Sequence, residues 1–424
     1  MIRSQNPRAA IATIYTEGLF GRLAFSMVSF AMPLYAAALG LSLAQIGVLI
    51  SVRTIFVLPF KPIAGWLADR VGTRKVYLAS ITARTLSALV LFFAGDFWSL
   101  MAVRLLQGAS SAGRDVVSLG VIAREAQSRV GSRFGWYSSA KHIGNLAGAG
   151  AAGLLIAAFG GRFDPDNYRV LWIIVLDLSL IPLVVAWFGL REIRSPVTGD
   201  AGPVAPTGKP RGSLLGRLRS GFGVNMQGLW GAASVGMLVA ASAYMVHGLF
   251  PVLATEYAGL SEAQAGVIYS ASGLAFVVAA PTFGWLIDRR GRSLGLAIRS
   301  LCNIGSSVLY VAFPSAAGVA AARVVDDSGK AAFVPAWASL VAEISREDPA
   351  RSGRKIGTLD TAATVGEAVG PALATLLWQT GGIVLLFAVR IGISICAEVA
   401  AIRVFGDLHN SRFAWLRGRR EREA

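Results

Sequence analysis

The stretch GWLADRVGTRK, Gly65–Lys75, closes a long apolar run with one acid and three bases. Its near-copy GWLIDRRGR, Gly284–Arg292, follows 219 positions later (284 − 65). The same offset relates LSLAQIGVLIS, 41–51, to LSEAQAGVIYS, 260–270, and carries Pro62 onto Pro281 and Arg104 onto Arg323. One offset held over so long a stretch marks an internal duplication, two copies of one unit joined in parallel.

Composition says what solvent the units face. Apolar residues make up 54% of the 424, charged residues only 15%, and mean hydropathy is +0.58. A soluble domain carries about 25% charged residues. The deficit runs along the whole chain and points to lipid. Forty Lys and Arg against 24 acids nonetheless leave a net charge of +16. A bilayer core takes roughly 20 apolar residues per helix. Such runs fall at 11–38, 45–68, 76–95, 98–122, 134–160 and 168–190, and again at 228–256, 262–287, 293–313, 315–343, 356–378 and 382–405. The expected organisation is a six-helix bundle over 1–190, a Pro- and Gly-rich cytoplasmic linker over 191–226, a second bundle over 227–406 and a basic cytoplasmic tail over 407–424.

Loop charge orients these spans. With the N-terminus in the cytoplasm, Arg70, Arg74, Lys75, Arg124, Arg129, Arg133, Arg289, Arg290 and Arg292 all lie inside. The outer loops LGLSLAQ, AGDFWS, FPSAA and WQTGG hold no Lys or Arg; only GGRFDPDNYR does. That asymmetry follows the positive-inside rule. Topology therefore accounts for the basic balance, and nucleic-acid binding is set aside. The N-terminus lacks the apolar core and cleavage site of a signal peptide and reads as a retained membrane helix. Cys302 and Cys396 stand in apolar runs with neither metal nor disulfide spacing.

Gly65-x3-Asp69-Arg70-x-Gly72-x-Arg74-Lys75 resembles the signature of the major facilitator superfamily, as do the two six-helix halves and the long linker. The resemblance implies an all-α integral membrane fold of 12 transmembrane helices in two pseudo-symmetric bundles. It also implies a cytoplasmic latch that holds the outward-open state, built here from Gly65, Asp69, Arg70, Gly72 and Arg74 and from Gly284, Asp288, Arg289 and Gly291. The alternative is a charged loop that serves insertion alone. Arg104-x2-Gln107-Gly108 is similar to the family's fourth-helix motif, which the resemblance links to proton coupling; an arginine snorkelling to the outer headgroups is the other reading. Gly144, Gly148, Gly150 and Gly153 in the fifth helix resemble the drug/proton antiporter branches. The Gly-Pro pair of that pattern, however, stands only in the eleventh helix, at Gly370-Pro371.

Charges inside the spans are the candidate working residues, because lipid-facing charge is costly. In ARVVDDSGKAAFVP the spacing sets Arg323, Asp327 and Lys330 on one helix side, beside Asp326. This cluster is either a structural pin or a pair of adjacent acids of which one titrates. Glu17 and Arg22 are five apart, so each faces another helix; Glu17 is a protonation site or a wetted acid. Asp177 stands alone in the sixth helix, and Asp360 and Glu367 share a face of the eleventh. Arg53, Arg84, Gln107, His247 and Arg390 are candidates to line a substrate cavity, with Glu398 a further buried ion. His142 and His247 are proton relays or satisfied polar histidines.

No Gly-x4-Gly-Lys-Ser/Thr phosphate loop is present, since Gly329-Lys330 lacks the upstream glycine and the following hydroxyl. The expectation is a secondary transporter of the plasma (inner) membrane, working by alternating access as a monomer without cofactor or metal. Its partners are a small-molecule substrate, protons and the bilayer. Proton-coupled efflux of amphipathic organic compounds is the first reading. Uptake or exchange of an anionic metabolite on the same arginines is the second. A membrane enzyme or receptor is the remote one, because histidines at 142, 247 and 409 form no catalytic constellation.

Overall fold

The computed structural model describes residues 7–125, 130–189, 226–290, 292–347 and 352–423. Outside them lie the expected linker apart from its last residue, and Gly291 of the expected latch. The side chains of Asp69, Asp288, Arg290, Arg124, Arg133 and the basic tail are likewise outside the described set.

Every regular element among the described residues is helical. In chain order they are α1 (7–38), α2 (Leu43–Val71), α3 (Thr73–Phe93), α4 (Phe97–Glu125), α5 (Val130–Ala158) and α6 (Arg169–Gly189) in the first half. The second half holds α7 (226–257), α8 (Glu262–Arg290), α9 (Arg292–Ala312) and α10 (Ala316–Glu347). A last helical run turns at Gly382 (φ 75°), which divides α11 (352–381) from α12 (383–423). Eight of these runs are long and apolar enough to cross a membrane, and one of them, Lys355–Arg403, is the doubled α11–α12. Helices α4, α5 and α10 do not stand out by hydropathy because their turned-in faces carry glycine and charge, as with Arg104, Lys141, Arg323 and Asp326.

The duplicated words in the sequence are duplicated caps. Ser42 accepts the Gln45 N–H and receives the Gln45 side chain on its own N–H, a capping box that starts α2. Ser261 and Gln264 repeat it at the start of α8. The glycines just before, Gly40 (φ 77°) and Gly259 (φ 65°), take left-handed turns that a Cβ would strain.

Small residues set the helix spacing inside each half. A Cβ on Gly144 or Gly148 of α5 would strike the carbonyls of Leu19 or Leu23 in α1. Gly366 and Gly370 of α11 lie in the same way on Met237 and Ala241 of α7. Without a hydrophobic force between helices in lipid, such close backbone approach supplies the packing. Between the halves, α5 meets α8 at Gly153 and Gly266, and α2 meets α11 where Gly47 abuts Thr375. The main core joins both halves around Phe30, Trp172, Phe250 and Phe387.

Candidate functional site

Two π-helical turns break the helices that flank the molecular centre, Glu17–Gly21 in α1 and Leu253–Tyr257 in α7. Such bulges favour functional positions. The first turns Glu17 inward, where it accepts from Arg84 at 2.7 Å and Arg114 at 3.1 Å, all three groups being buried. Arg114 also approaches Asp115 at 3.8 Å.

In the second half, Asp326 receives Arg390 Nη2 at 2.7 Å and Arg299 Nη1 at 3.1 Å. Arg390 spends its remaining donors on the Ser242 carbonyl, Asn303, Ser306 and Ser307. Asp327 accepts from Lys330 at 2.8 Å and from Arg323 at 3.3 Å. Four cations thus share two carboxylates. Arg323 donates to His247 Nδ1 at 3.1 Å, and arginine has no acceptor to offer in return. A neutral His247 therefore carries its proton on Nε2, 3.2 Å from the Tyr269 hydroxyl.

Between these two networks lies a cavity of about 130 Å³ lined by Arg22, Arg53, Arg104, Tyr244, His247 and Glu367. Arg22 and Arg53 both stack on Phe25, at 4.8 and 4.7 Å from its centroid. Arg104, 3% exposed, bonds Gln107 at 3.1 Å, and Arg53 reaches Ser111 at 3.5 Å. None of the three arginines is in an ion pair among the described residues. A lone arginine at membrane depth costs roughly 2.5–3.5 kcal/mol on insertion scales, so three held around one space need a return in function. Glu367, also in no ion pair among the described residues, lines both this cavity and a chamber of about 420 Å³ walled by Phe276, Phe333 and Trp337.

The cavity is closed at its arginine-poor end. Arg162, before α6, bonds Glu256 at 3.0 Å and Glu262 at 3.3 Å, and the Ala44 N–H donates to Gln379 at 3.0 Å. Ser51 accepts from the Ala372 N–H one level deeper. Toward the arginine-rich end the halves still touch, but at a wetted surface: Lys61 and Asp360, both substantially exposed, meet across them at 3.6 Å. Gly72 and Gly284 of the latch motifs have open space where a Cβ would stand, and Trp66 and Trp285 are half exposed beneath Arg70 and Arg289. Arg74 donates to the Trp187 carbonyl at 3.2 Å, within its own half, and Gly65 is half-buried in α2.

The expected residues therefore divide. Arg22, Arg53, Arg104, His247 and Glu367 come together, and Gln107 supports Arg104. Arg84 and Arg390, expected in the cavity wall, are instead consumed behind it by Glu17 and Asp326, because a buried carboxylate outcompetes an open cavity for a guanidinium. Asp177 is not a buried ion: it is exposed on the face of α6 that also presents Ile173, Leu180 and Val184. Asp360 opens onto the wider chamber beside Lys61. Arg299 and Arg114 were overlooked in the sequence. Both are intramembrane arginines, and the rule that singled out Arg84 and Arg390 applies to them equally.

The Major Facilitator Superfamily model matches residues 18–247 and again 232–414, both halves of the molecule, and the chain belongs to that family. It is accordingly a multi-pass membrane transporter and not an enzyme. It is similar to the multidrug resistance protein MdtG of Salmonella typhi, with 22% identity over 95% of this chain and 93% of that one. It also resembles the class B tetracycline resistance protein of Escherichia coli, 31% identical over 151 residues; that match spans only 35% of each chain. The solved nucleoside transporter NupG has the same fold, with a TM-score of 0.76 at 13% identity over 93% of this chain and all of that one.

Proposed function

We propose that this chain exports amphipathic organic compounds from the cytoplasm by alternating access, in exchange for protons. The observation that carries the reading is the central chamber, bridged by Arg162 and Glu262 at the arginine-poor end and reaching the exposed Asp360 toward the arginine-rich end. The positive-inside rule makes the arginine-rich end cytoplasmic, so both termini are cytoplasmic and the chamber loads from within the cell. The drug-resistance names of these relatives, one tetracycline and one multidrug, accord with efflux. One chain supplies both halves and acts as a monomer in the plasma membrane.

Glu367 is the coupling carboxylate in this reading. Glu17, Asp326 and Asp327 are each engaged by two or more cations, whereas Glu367 lines both spaces outside any ion pair among the described residues. Reconstitution in proteoliposomes with an imposed pH gradient tests it. Substrate movement against the proton gradient, lost in Glu367→Gln, supports the reading; movement indifferent to the gradient refutes the coupling. The arginine cavity favours a second reading, uptake of an anionic metabolite, and right-side-out against inside-out vesicles separate the two.

A further inference from the structure

We infer that the compound carried is an amphiphilic organic anion. It is held with its carboxylate, or a comparable oxyanion, among Arg22, Arg53 and Arg104 and with its flat apolar body along Phe333 and Trp337. The inference rests on the transporter reading above and specifies its substrate class.

The duplication supplies an internal comparison. Arg104 and Arg323 occupy equivalent positions, and one turn on, Gln107 and Gly108 in the first half answer to Asp326 and Asp327 in the second. Arg323 is accordingly neutralised by Asp327 at 3.3 Å, while Arg104 has a neutral partner only, the Gln107 amide. Its Nε finds no hydrogen-bond acceptor among the described residues. Where the second half holds Ser272, the first half places another cation, Arg53. At this pair of equivalent positions the protein thus answers its arginine with a carboxylate in the second half and only with an amide in the first.

The remaining geometry points the same way. Arg22 and Arg53 approach one ring, Phe25, and the face of an aromatic offsets a cation only partly. Two guanidiniums on one ring with no ion pair among the described residues call for an anion, and their planar forks match a carboxylate two donors at a time. Counting the neighbouring network, seven cations surround the centre with three carboxylates (Arg22, Arg53, Arg104, Arg299, Arg323, Lys330 and Arg390 with Asp326, Asp327 and Glu367). A protonated amine entering there meets like charge.

Size decides the rest. The arginine compartment, about 130 Å³, holds a head group but falls short of the roughly 300–1,000 Å³ of a small-molecule site. The adjoining chamber, about 420 Å³, shares Tyr244, His247 and Glu367 with it and supplies the missing room. Its wall is aromatic: Phe276, Phe333 and Trp337 line it, the last two stacked at 5.5 Å with 21° between their planes, a lining that suits a planar apolar body.

The test uses one body with three heads, 4-biphenylcarboxylate, 4-biphenylcarboxamide and 4-biphenylylmethylammonium, titrated calorimetrically into the purified full chain. The carboxylate should bind at least about 10-fold tighter than the amide, with the cation weakest. Arg104→Gln should erase most of that preference, whereas Arg104→Lys, which keeps the charge and reports on folding, should retain part of it. Trp337→Ala should weaken 4-biphenylcarboxylate and leave benzoate unchanged. A cation that binds most tightly, a carboxylate preference that survives both Arg104→Gln and Arg53→Gln, or no binding by any of the three would overturn the inference. Inside-out vesicles separate it from the reading beneath. Accumulation of the cation alone sinks the anion site and leaves export standing. Selective carboxylate binding with no flux of any probe leaves the site standing and sinks export.

Discussion

Arg162 reaches from the first half to Glu262 of the second, closing the arginine-poor end at 3.3 Å while its Nε holds Glu256 at 3.0 Å. The Arg162 backbone N–H also donates to Glu262 at 3.1 Å, so Glu262 binds both side chain and main chain. Alternating access requires this seal to break whenever the opposite end closes. Arg162→Ala should weaken it by about 1 kcal/mol and shift the closed-to-open population roughly fivefold. A cysteine pair at Ala44 and Gln379, whose backbone and side chain meet at 3.0 Å, would report it: disulfide yield should drop in the variant. Unchanged yield would show that the apolar core carries the seal.

Asp326 and Arg390 are both fully buried and 2.7 Å apart. Asp326→Asn would leave Arg299 and Arg390 without their counter-ion, and breaking such a buried pair costs about 3–5 kcal/mol. Thermal unfolding in detergent should therefore fall sharply. Asp327→Asn should cost less, because it strands one fully buried cation, Arg323, while its other partner, Lys330, is 21% exposed and can find water. Equal losses would place the pin at Lys330 instead.

A proton carrier behaves differently from a pin. Glu367→Gln should keep the protein stable and its substrate exchange intact while abolishing uphill, proton-driven flux. Asp177→Asn, on the exposed face of α6, should change neither. If Asp177→Asn uncouples transport, the coupling path runs along the outside of the first bundle.

Close helix contact makes its own demand. A Cβ at Gly370 would stand 2.6 Å from the Ala241 carbonyl oxygen, and one at Gly148 would strike that of Leu23. Gly370→Ala should destabilise the second bundle by about 1–3 kcal/mol, the usual cost of overpacking. Gly357→Ala, with open space around it, should be tolerated. Expression and melting temperature of the two variants distinguish these outcomes.

Much of the fold was legible in the order of residues. LSLAQ and LSEAQ are capping boxes whose three-residue spacing is local, and the 219-residue offset says that whatever one half builds the other repeats. Helix depth follows from hydropathy, and local ion pairs such as Asp327–Lys330 follow from helical spacing. Hydropathy measures depth along a helix, however, and not which way a side chain turns about its axis. Asp177 has the same apolar context as a cavity carboxylate and still faces outward.

The sequence by itself thus determined the twelve-helix duplicated membrane fold and the inventory of charges placed inside it. Which charges neutralise each other was decided only in three dimensions. Arg390 finds Asp326 across 64 positions and Glu17 finds Arg84 across 67, and no local spacing encodes either pairing. The residue left over after those pairings is what makes a site: Arg22, Arg53 and Arg104 face the cavity with Glu367 in its wall but with no carboxylate in ion-pair contact among the described residues, and a low-dielectric interior makes such a charge a strong and selective one.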